Sequence, residues 1–341
     1  MKLSDFDYSL PESLIAQAPA KPRDKARLLV VRKNSLRFEH AIFSDIIDYL
    51  ESGDVLVLNN SKVIPARLIG KKVTGGKVEI LLSRSLGGRL WEVIGKSLPS
   101  RGEAVIFSPS FSGIVKKIGD GQAEIEFNCS GPLFFSRLNR FGQIPLPPYI
   151  ESSGKKLDAE RYQTVYADNR DHGSVAAPTA GLHFTPRLLT KLKKKGIKIA
   201  HVTLHVGLGT FRPIKTENVK EHHMHPEWVS VSKRALDAIK EAKKKRKKVV
   251  AVGTTSVRAL ESAWKNGQGT AWSGWTDIYI YPPFKFNVID SLITNFHLPK
   301  STLLLLVSAL AGQETIMAAY HEAVRRNYRF YSYGDAMLII Y

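Results

Sequence analysis

The chain has 341 residues, more than one minimal domain needs, so two domains are expected, with a single large α/β unit as the alternative. Its composition, 43% hydrophobic and 24% charged, excludes disorder, collagen and a coiled coil as the main theme. A net charge of +19 is more than a small-molecule enzyme needs, and a single cysteine, Cys129, excludes an intramolecular disulfide framework and suits a reducing compartment. The N-terminal stretch meets Asp5, Asp7 and Pro11 before any apolar run, so no signal peptide is expected. The longest apolar run, residues 302–311, is about half the ~20 residues of a membrane helix and reads as a buried helix.

In chain order, residues 28–32 form a short apolar strand. Residues 43–50 have helical spacing, with Ser44 as N-cap and Gly53 just past the end. Residues 54–60 read as a buried strand running into a polar loop. From about 66 to 152 the character changes to short β-branched and aromatic runs separated by turn signals. Residues 78–82 alternate. Gly87-Gly88 precedes another run, and two more flank Asp120-Gly121-Gln122. Ala123, Ile125 and Phe127 face one way, and Glu124, Glu126 and Asn128 the other, which is a half-buried antiparallel pattern. A small β-barrel closes such edges. The proline-rich segment 144–156 ends this unit.

Beyond about 157 the pattern is α/β again. Residues 185–196 form a helix with Pro186 at its first position and Gly196 at its end. Strands are expected at 197–206, 249–253 and 276–282, with helices at 232–245, 256–264 and 301–311, the last capped by Ser301. The fold class is therefore α/β: a larger α/β domain, residues 1–62 and 153–341, with an inserted, mostly antiparallel β-barrel domain, residues 63–152.

The charge is uneven. Residues 191–248 hold 17 basic and 5 acidic side chains. A field of that sign attracts phosphates, although the run 243–248 also reads as a helix end complementing its own dipole. No RNP, KH or zinc-finger pattern accompanies it.

Chemistry-bearing residues gather where strands end. Residues 173–186 place His183, Thr179 and Thr185 among small residues just before a helix N-terminus, which admits a ligand close to the backbone and favours negative charge. Residues 203–213 carry His205 into Gly207-Leu208-Gly209-Thr210. This is neither a dinucleotide fingerprint, lacking a third glycine and a following acid, nor a Walker loop. Residues 252–262 set Thr254 and Thr255 between a buried strand and a helix on which Arg258 and Glu261 could pair. Residues 293–305 put Asn295 and His297 in a loop. His222, His223 and His225 match no zinc spacing and read as surface or substrate contacts, so no metal is expected. Cys129 reads as a buried small hydrophobe. The residues thus describe a transferase or hydrolase acting on a phosphate-rich partner, or a non-catalytic nucleic-acid-binding module.

Nine colinear stretches between residues 5 and 339 carry a resemblance: DFDYSLPESLIAQAP, VLNNSKVIPARLIG, GQIPLPPYI, ERYQTVYA, GSVAAPTAGLHFT, VTLHVGLGTFRP, AVGTTSVRALES, LITNFHLPKSTLLLLVSALAG and YRFYSYGDAMLI. The sequence resembles the S-adenosylmethionine:tRNA ribosyltransferase-isomerase family of queuosine biosynthesis. The resemblance implies an α/β domain plus a β-barrel domain in a cytoplasmic, single-chain enzyme with no membrane association. It implies transfer and isomerisation of the ribosyl group of S-adenosylmethionine onto 7-aminomethyl-7-deazaguanine at the wobble position of tRNA. The products are epoxyqueuosine in tRNA, adenine and methionine. S-adenosylmethionine is then a substrate, and no cofactor is called for. A methyltransferase using the same cosubstrate, or a tRNA-binding module without chemistry, would be told apart by the products.

In such a reaction the sulfonium acidifies the adjacent C5′ hydrogens, so a general base is needed to remove one, together with a proton for departing adenine and a deprotonated amine. Histidines suit these transfers because their pKa lies near working pH. His183, His205 and His297 are the candidate catalytic set, with Glu261 as a second-rank base. Thr179, Gly181, Thr185, Gly207, Gly209, Thr210, Thr254, Thr255 and Asn295 are expected to contact the ribose and carboxylate. Arg258 is expected on the methionyl carboxylate or a phosphate. Arg67, Arg161 and Tyr162 are candidates for contacts to tRNA.

Overall fold

The computed structural model describes residues 1–119, 122–168, 172–207, 214 and 216–340. The chain forms two compact units, one of Met1–Ser61, Gln163–Asp171 and Pro178–Tyr341, the other of Lys62–Tyr162 and His172–Ala177. The larger unit thus gives up residues 153–162 and 172–177, which were expected in it, because these stretches pack with the smaller unit. The short parallel pairing of His172–Ser174 with Lys62–Val63 shows how the returning chain is held there.

The larger unit begins with β1 (Arg27–Arg32) and β2 (Phe38–Ile42), then β3 (Val55–Asn59). Residues 43–49 between them form a 3-10 helix, and Ser44 does not cap it. Asp45 Oδ2 accepts from the Ile42 N–H at 3.1 Å, while the Ser44 hydroxyl donates to Asp45 Oδ1 at 3.1 Å.

The smaller unit holds β4 (Lys62–Val63), β5 (Arg67–Lys72), β6 (Lys77–Gly87), β7 (Leu90–Lys96), β8 (Ala104–Ser108), β9 (Phe111–Gly119) and β10 (Gln122–Phe127). Helices α1 (Gly131–Phe141) and α2 (Lys155–Arg161) and strand β11 (His172–Ser174) follow. Strands β5–β10 close into an antiparallel barrel in the order β10-β7-β6-β5-β8-β9, so no strand of the barrel presents an open edge. The alternation read along β10 is realised, with Ala123, Ile125 and Phe127 buried and the glutamates between them half-buried. Phe111, Phe127 and Phe134 of α1 form an aromatic cluster, the Phe127 and Phe134 rings lying 5.0 Å apart edge to face.

The larger unit resumes with a 3-10 turn at 179–183, α3 (Pro186–Lys194), β12 (Lys198–Leu204), β13 (Glu227–Val231), α4 (Lys233–Lys244), β14 (Val249–Val252) and α5 (Thr254–Gly267). It ends with β15 (Trp272–Thr276), β16 (Ser291–Asn295), α6 (Thr302–Ala311), α7 (Gln313–Arg325) and β17 (Ala336–Ile340). Thr185, Ser232 and Ser301 accept from the backbone N–H of the third residue of α3, α4 and α6, as expected at Thr185 and Ser301, and the structure adds the cap at Ser232. The strand expected at 276–282 instead lies at 272–276. There it pairs antiparallel with β13 as an edge strand, and Trp275 packs edge to face on Trp228 at 5.6 Å.

The sheet order is β15-β13-β12-β3-β14-β16-β17-β1-β2. Its central strands β3, β14 and β16 are buried along their whole length, as strands covered on both faces must be. On one face Leu56, Leu58, Val250, Val252, Leu28 and Leu338 pack with Phe43, Ile46, Leu188 and Leu192. Helices α4 and α5 pack on β12, β3 and β14. Among the described residues no single helix is long and apolar enough to cross a membrane.

Phe127→Ala is expected to lower the stability of the barrel by about 3–5 kcal/mol, since the cavity it leaves is walled by other rings. Urea denaturation followed by circular dichroism measures this, and Lys117→Ala on the exposed side of the barrel should leave the midpoint in place.

Candidate active site

Strands β3, β12, β14 and β16 are mutually parallel, so Asn59, Leu204, Val252 and Asn295 end at one edge of the sheet. The register of β16 with β17 (Asn295 opposite Ala336) and of β17 with β1 (Ala336 beside Leu28) brings the start of β17, the start of β1 and the end of β2 to the same edge. In open α/β sheets this is where ligands bind.

Asn59 is fully buried and uses its whole amide. Its Nδ2 donates to the Leu204 carbonyl at 3.0 Å and to Thr255 Oγ1 at 3.2 Å, and its Oδ1 accepts from the N–H groups of Leu204 and Ser61, both at 3.1 Å. One side chain thereby holds β12 beside β3 and fixes the first turn of α5. Gly253 turns β14 into that helix at φ +83°, a left-handed conformation that a side chain would strain, and it caps α5 without a side-chain hydrogen bond. The amino end of α5, with Thr254 and Thr255, therefore opens on the edge where the strands end.

Across the sheet, Thr179 donates its hydroxyl hydrogen to Asn295 Oδ1 at 2.9 Å, and Asn295 Nδ2 meets His183 Nε2 at 3.1 Å. With the amide so oriented, Nε2 is the acceptor and the proton of the neutral ring resides on Nδ1. Phe43, just past β2, stacks on the imidazole at 4.9 Å between centroids. Burial pushes the His183 imidazole down to about 4. Asp335 pulls the other way, and Arg329 and Arg23 add to the lowering. Asp335 is itself buried and held by Arg27 and Arg329.

His297, two residues past the end of β16, is buried. Its Nε2 pairs with the Thr294 hydroxyl at 2.9 Å, its N–H donates to Tyr320 Oη at 2.9 Å, and its carbonyl accepts from Tyr8. Burial pushes it down to about 3. His205 directly follows β12 and is half-buried, its N–H donating to the Trp228 carbonyl at 2.9 Å.

The other expected site residues are placed as follows. Thr185 caps α3 and donates to Asp24 Oδ2 at 2.8 Å, so its hydroxyl serves as a local brace. Arg258 and Glu261 do not pair. Arg258 forms a buried ion pair with Glu227 through Nη1 and donates to the Ile278 carbonyl through Nε at 3.3 Å. Glu227 also accepts from the Gly207 N–H at 2.9 Å. Glu261 accepts from the N–H groups of Asn287 and Val288, both at 3.0 Å, and of Ile289 at 3.4 Å. These precede the first residue of β16, which sets Glu261 toward the opposite edge of the sheet. Its carboxyl is raised by burial against the lowering by those N–H groups. Gly181 lies within the 179–183 turn, and Gly209 and Thr210 fall outside the described residues.

In the smaller unit Arg67 is paired with Glu79 at 2.8 Å, Arg161 is bonded to Ser153 Oγ at 3.1 Å, and Tyr162 is fully buried. The basic run 243–248 leads into the start of β14, at the edge opposite the strand ends. Lys247 there pairs with Glu51 at 3.1 Å and Lys245 with Glu241 at 2.8 Å.

Sequence reasoning missed Asn59, Phe43 and Asp335. For Asn59 the available signal was a lone amide ending the otherwise apolar run VLVLN. His183, on which Phe43 stacks, lies 140 residues away, and Arg27, which pairs with Asp335, lies 308 away, so both contacts become visible only in the register of the sheet.

The fold and site define an open α/β-sheet protein with an inserted barrel and a polar ligand edge built from four strand ends. A family model described as "Queuosine biosynthesis protein" matches residues 3–339. Proteins named S-adenosylmethionine:tRNA ribosyltransferase-isomerase match over 100% of both chains: 52% identical from Sulfurihydrogenibium sp. (strain YO3AOP1), 53% from Halothermothrix orenii and 50% from Thermotoga maritima. The crystal structure of an S-adenosylmethionine tRNA ribosyltransferase from Thermotoga maritima matches with a TM-score of 0.58 at 38% identity, covering 98% of this chain and 100% of that one. The chain belongs to the queuosine biosynthesis protein family.

Both buried histidines have folded values below the ordinary 6.5, so the unfolded chain binds the extra protons. Their contribution to stability is present above about pH 6.5 and is lost as pH falls toward about 4, at up to roughly 1.4 kcal/mol per pH unit for each. The ring signals of His183 and His297 in an NMR titration are expected to stay neutral from pH 8 to 5.5, and His297→Asn should flatten the loss of stability across that window. Midpoints near 6.5 would contradict the burial argument.

Proposed function

We propose that the chain acts as an S-adenosylmethionine:tRNA ribosyltransferase-isomerase. It moves the ribosyl group of S-adenosylmethionine onto the 7-aminomethyl-7-deazaguanine of a tRNA wobble position, isomerises it to the epoxycyclopentanediol of epoxyqueuosine, and releases adenine and methionine. The observation that carries this reading is similarity over the whole length, at 50% identity or more, to proteins of that name. S-adenosylmethionine is a substrate in this scheme, and no further cofactor is invoked. We place the enzyme in the cytoplasm as a monomer, with Arg67 and Arg161 among its contacts to tRNA.

The geometry suggests how roles divide. A histidine with a pKa near 4 is neutral at working pH, so His183 acts as a fixed hydrogen-bond donor through Nδ1 and not as a charged acid. Aimed at a ribose oxygen or at the leaving base, a donor already oriented by Asn295 and Thr179 stabilises developing negative charge without reorganising. The amino end of α5 suits the methionyl carboxylate, because its N–H groups and dipole favour an anion. His297 and Glu261 act as positioning residues, the first through its bonds to Thr294 and Tyr320 next to Asn295 and the second on the 287–289 segment. Arg258 steadies the Gly207 loop through Glu227. His205, at the end of β12 and only half-buried, is the remaining proton-transfer candidate.

Two tests follow. Purified protein with S-adenosylmethionine and tRNA bearing the aminomethyl-deazaguanine should yield free adenine and, on digestion and mass spectrometry, a wobble nucleoside carrying the epoxycyclopentanediol. S-adenosylhomocysteine with a methylated nucleoside would replace this reading with a methyltransferase. Asn295→Asp exchanges the donor facing His183 Nε2 for an acceptor. Turnover should fall roughly tenfold or more, and the His183 titration should move up from about 4. Wild-type turnover in a folded variant would remove His183 from the chemistry.

A further inference from the structure

Among the described residues several buried hydroxyls have no hydrogen-bond partner, Ser61 Oγ just past β3 included, and two of them belong to residues packed on one glycine turn. Thr164 Oγ1 and Tyr166 Oη are buried and have no hydrogen-bond partner among the described residues. Both residues belong to the larger unit and pack on Gly181, Tyr166 through its hydroxyl and Thr164 through its methyl group. A Cβ built on Gly181 would lie 1.9 Å from Tyr166 Oη and 2.9 Å from Thr164 Cγ2. The Tyr166 hydroxyl therefore occupies the place where a side chain of residue 181 would stand. Gly181 sits midway between Thr179 and His183 on the turn that Asn295 holds.

A phenol required only for packing would do better as phenylalanine, because a buried hydroxyl without a partner costs free energy in the folded state. Buried polar groups left unsatisfied are rare and call for a reason. Burial also raises the Tyr166 hydroxyl well above its ordinary value, so it keeps its proton and can donate. A neutral donor set into a glycine turn beside His183 suits a neutral polar ligand, such as a ribose hydroxyl or a ring nitrogen, better than a phosphate, which calls for cationic partners.

We infer that Tyr166 is a further substrate-binding residue, its hydroxyl donating a hydrogen bond to the nucleoside portion of S-adenosylmethionine, with Thr164 as its companion. This rests on the reaction proposed above.

The test is Tyr166→Phe in the full chain. The melting temperature should stay level or rise, because the unliganded fold loses no hydrogen bond. The KM for S-adenosylmethionine, and its Kd measured by calorimetry, should rise about tenfold, while the KM for tRNA stays put. Thr164→Val, which keeps shape and removes the hydroxyl, should move the same constants in the same direction. A phenylalanine variant with wild-type KM and Kd overturns the inference. So does one whose melting temperature falls by several degrees, since that would show a hydroxyl bonded within the resting fold. Wild-type protein assayed alongside separates the two levels. If it releases adenine while the variant is indistinguishable from it, only the role of Tyr166 fails; if it neither binds S-adenosylmethionine nor releases adenine, the reaction itself fails and the inference with it.

Discussion

The amide of Asn59 is the point on which the ligand edge depends. It stands at the end of β3, between β12 and β14, and its four hydrogen bonds reach both main-chain groups of Leu204, the N–H of Ser61 and the hydroxyl of Thr255. Buried amides are costly unless every donor and acceptor is met, and here all are met by groups from three separate stretches of chain. The constraint works in both directions. The strand ends and the first turn of α5 must sit where the amide can reach them, and once they do, the glycine turn at 253 opens on a fixed frame. A carboxylate at position 59 could accept but not donate, and would face the Leu204 carbonyl with a negative charge.

A second consequence of burial governs the chemistry. His183 and His297 lie among apolar and aromatic neighbours, and desolvation keeps both neutral across the physiological range. Two of the three histidines that resembled a proton-transfer set are thus neutral hydrogen-bonding groups. The charged groups described near this edge are neutralised internally, Arg258 by Glu227, which also holds the Gly207 N–H, and Asp335 by Arg27 and Arg329. The lysines of the 243–248 run stand at the far edge of the sheet. The ligand edge therefore relies on oriented dipoles, helix ends and hydroxyls, which suits a reaction in which bonds to carbon are made and broken under a cationic sulfonium.

Much of this was legible in the chain itself. The barrel was readable because β10 alternates cleanly and its turns are marked. The capped helices were readable because Thr185 and Ser301 stand immediately before apolar-periodic runs. The strand-end loops were readable because threonine, glycine and histidine cluster there. What could not be read depends on tertiary register. The pairing of Asn295 with His183 spans 112 residues, and that of Arg258 with Glu227 spans 31. Helical spacing alone put Arg258 and Glu261 together, whereas a buried carboxylate collecting three main-chain N–H groups outweighs a side-chain pair. The strand at 272–276 was missed because two tryptophans and a glycine at a sheet edge show no clean alternation, while the alternating 276–282 stretch is used to place Tyr279 against the Val219 carbonyl.

The most direct measurement of where the substrate sits is hydrogen–deuterium exchange with and without saturating S-adenosylmethionine. The account predicts slowed exchange in residues 179–184, 253–257 and 293–297, and unchanged exchange in 51–54 and 245–249 at the opposite edge of the sheet. Protection confined to the opposite edge, or absent from all three strand-end segments, would contradict it.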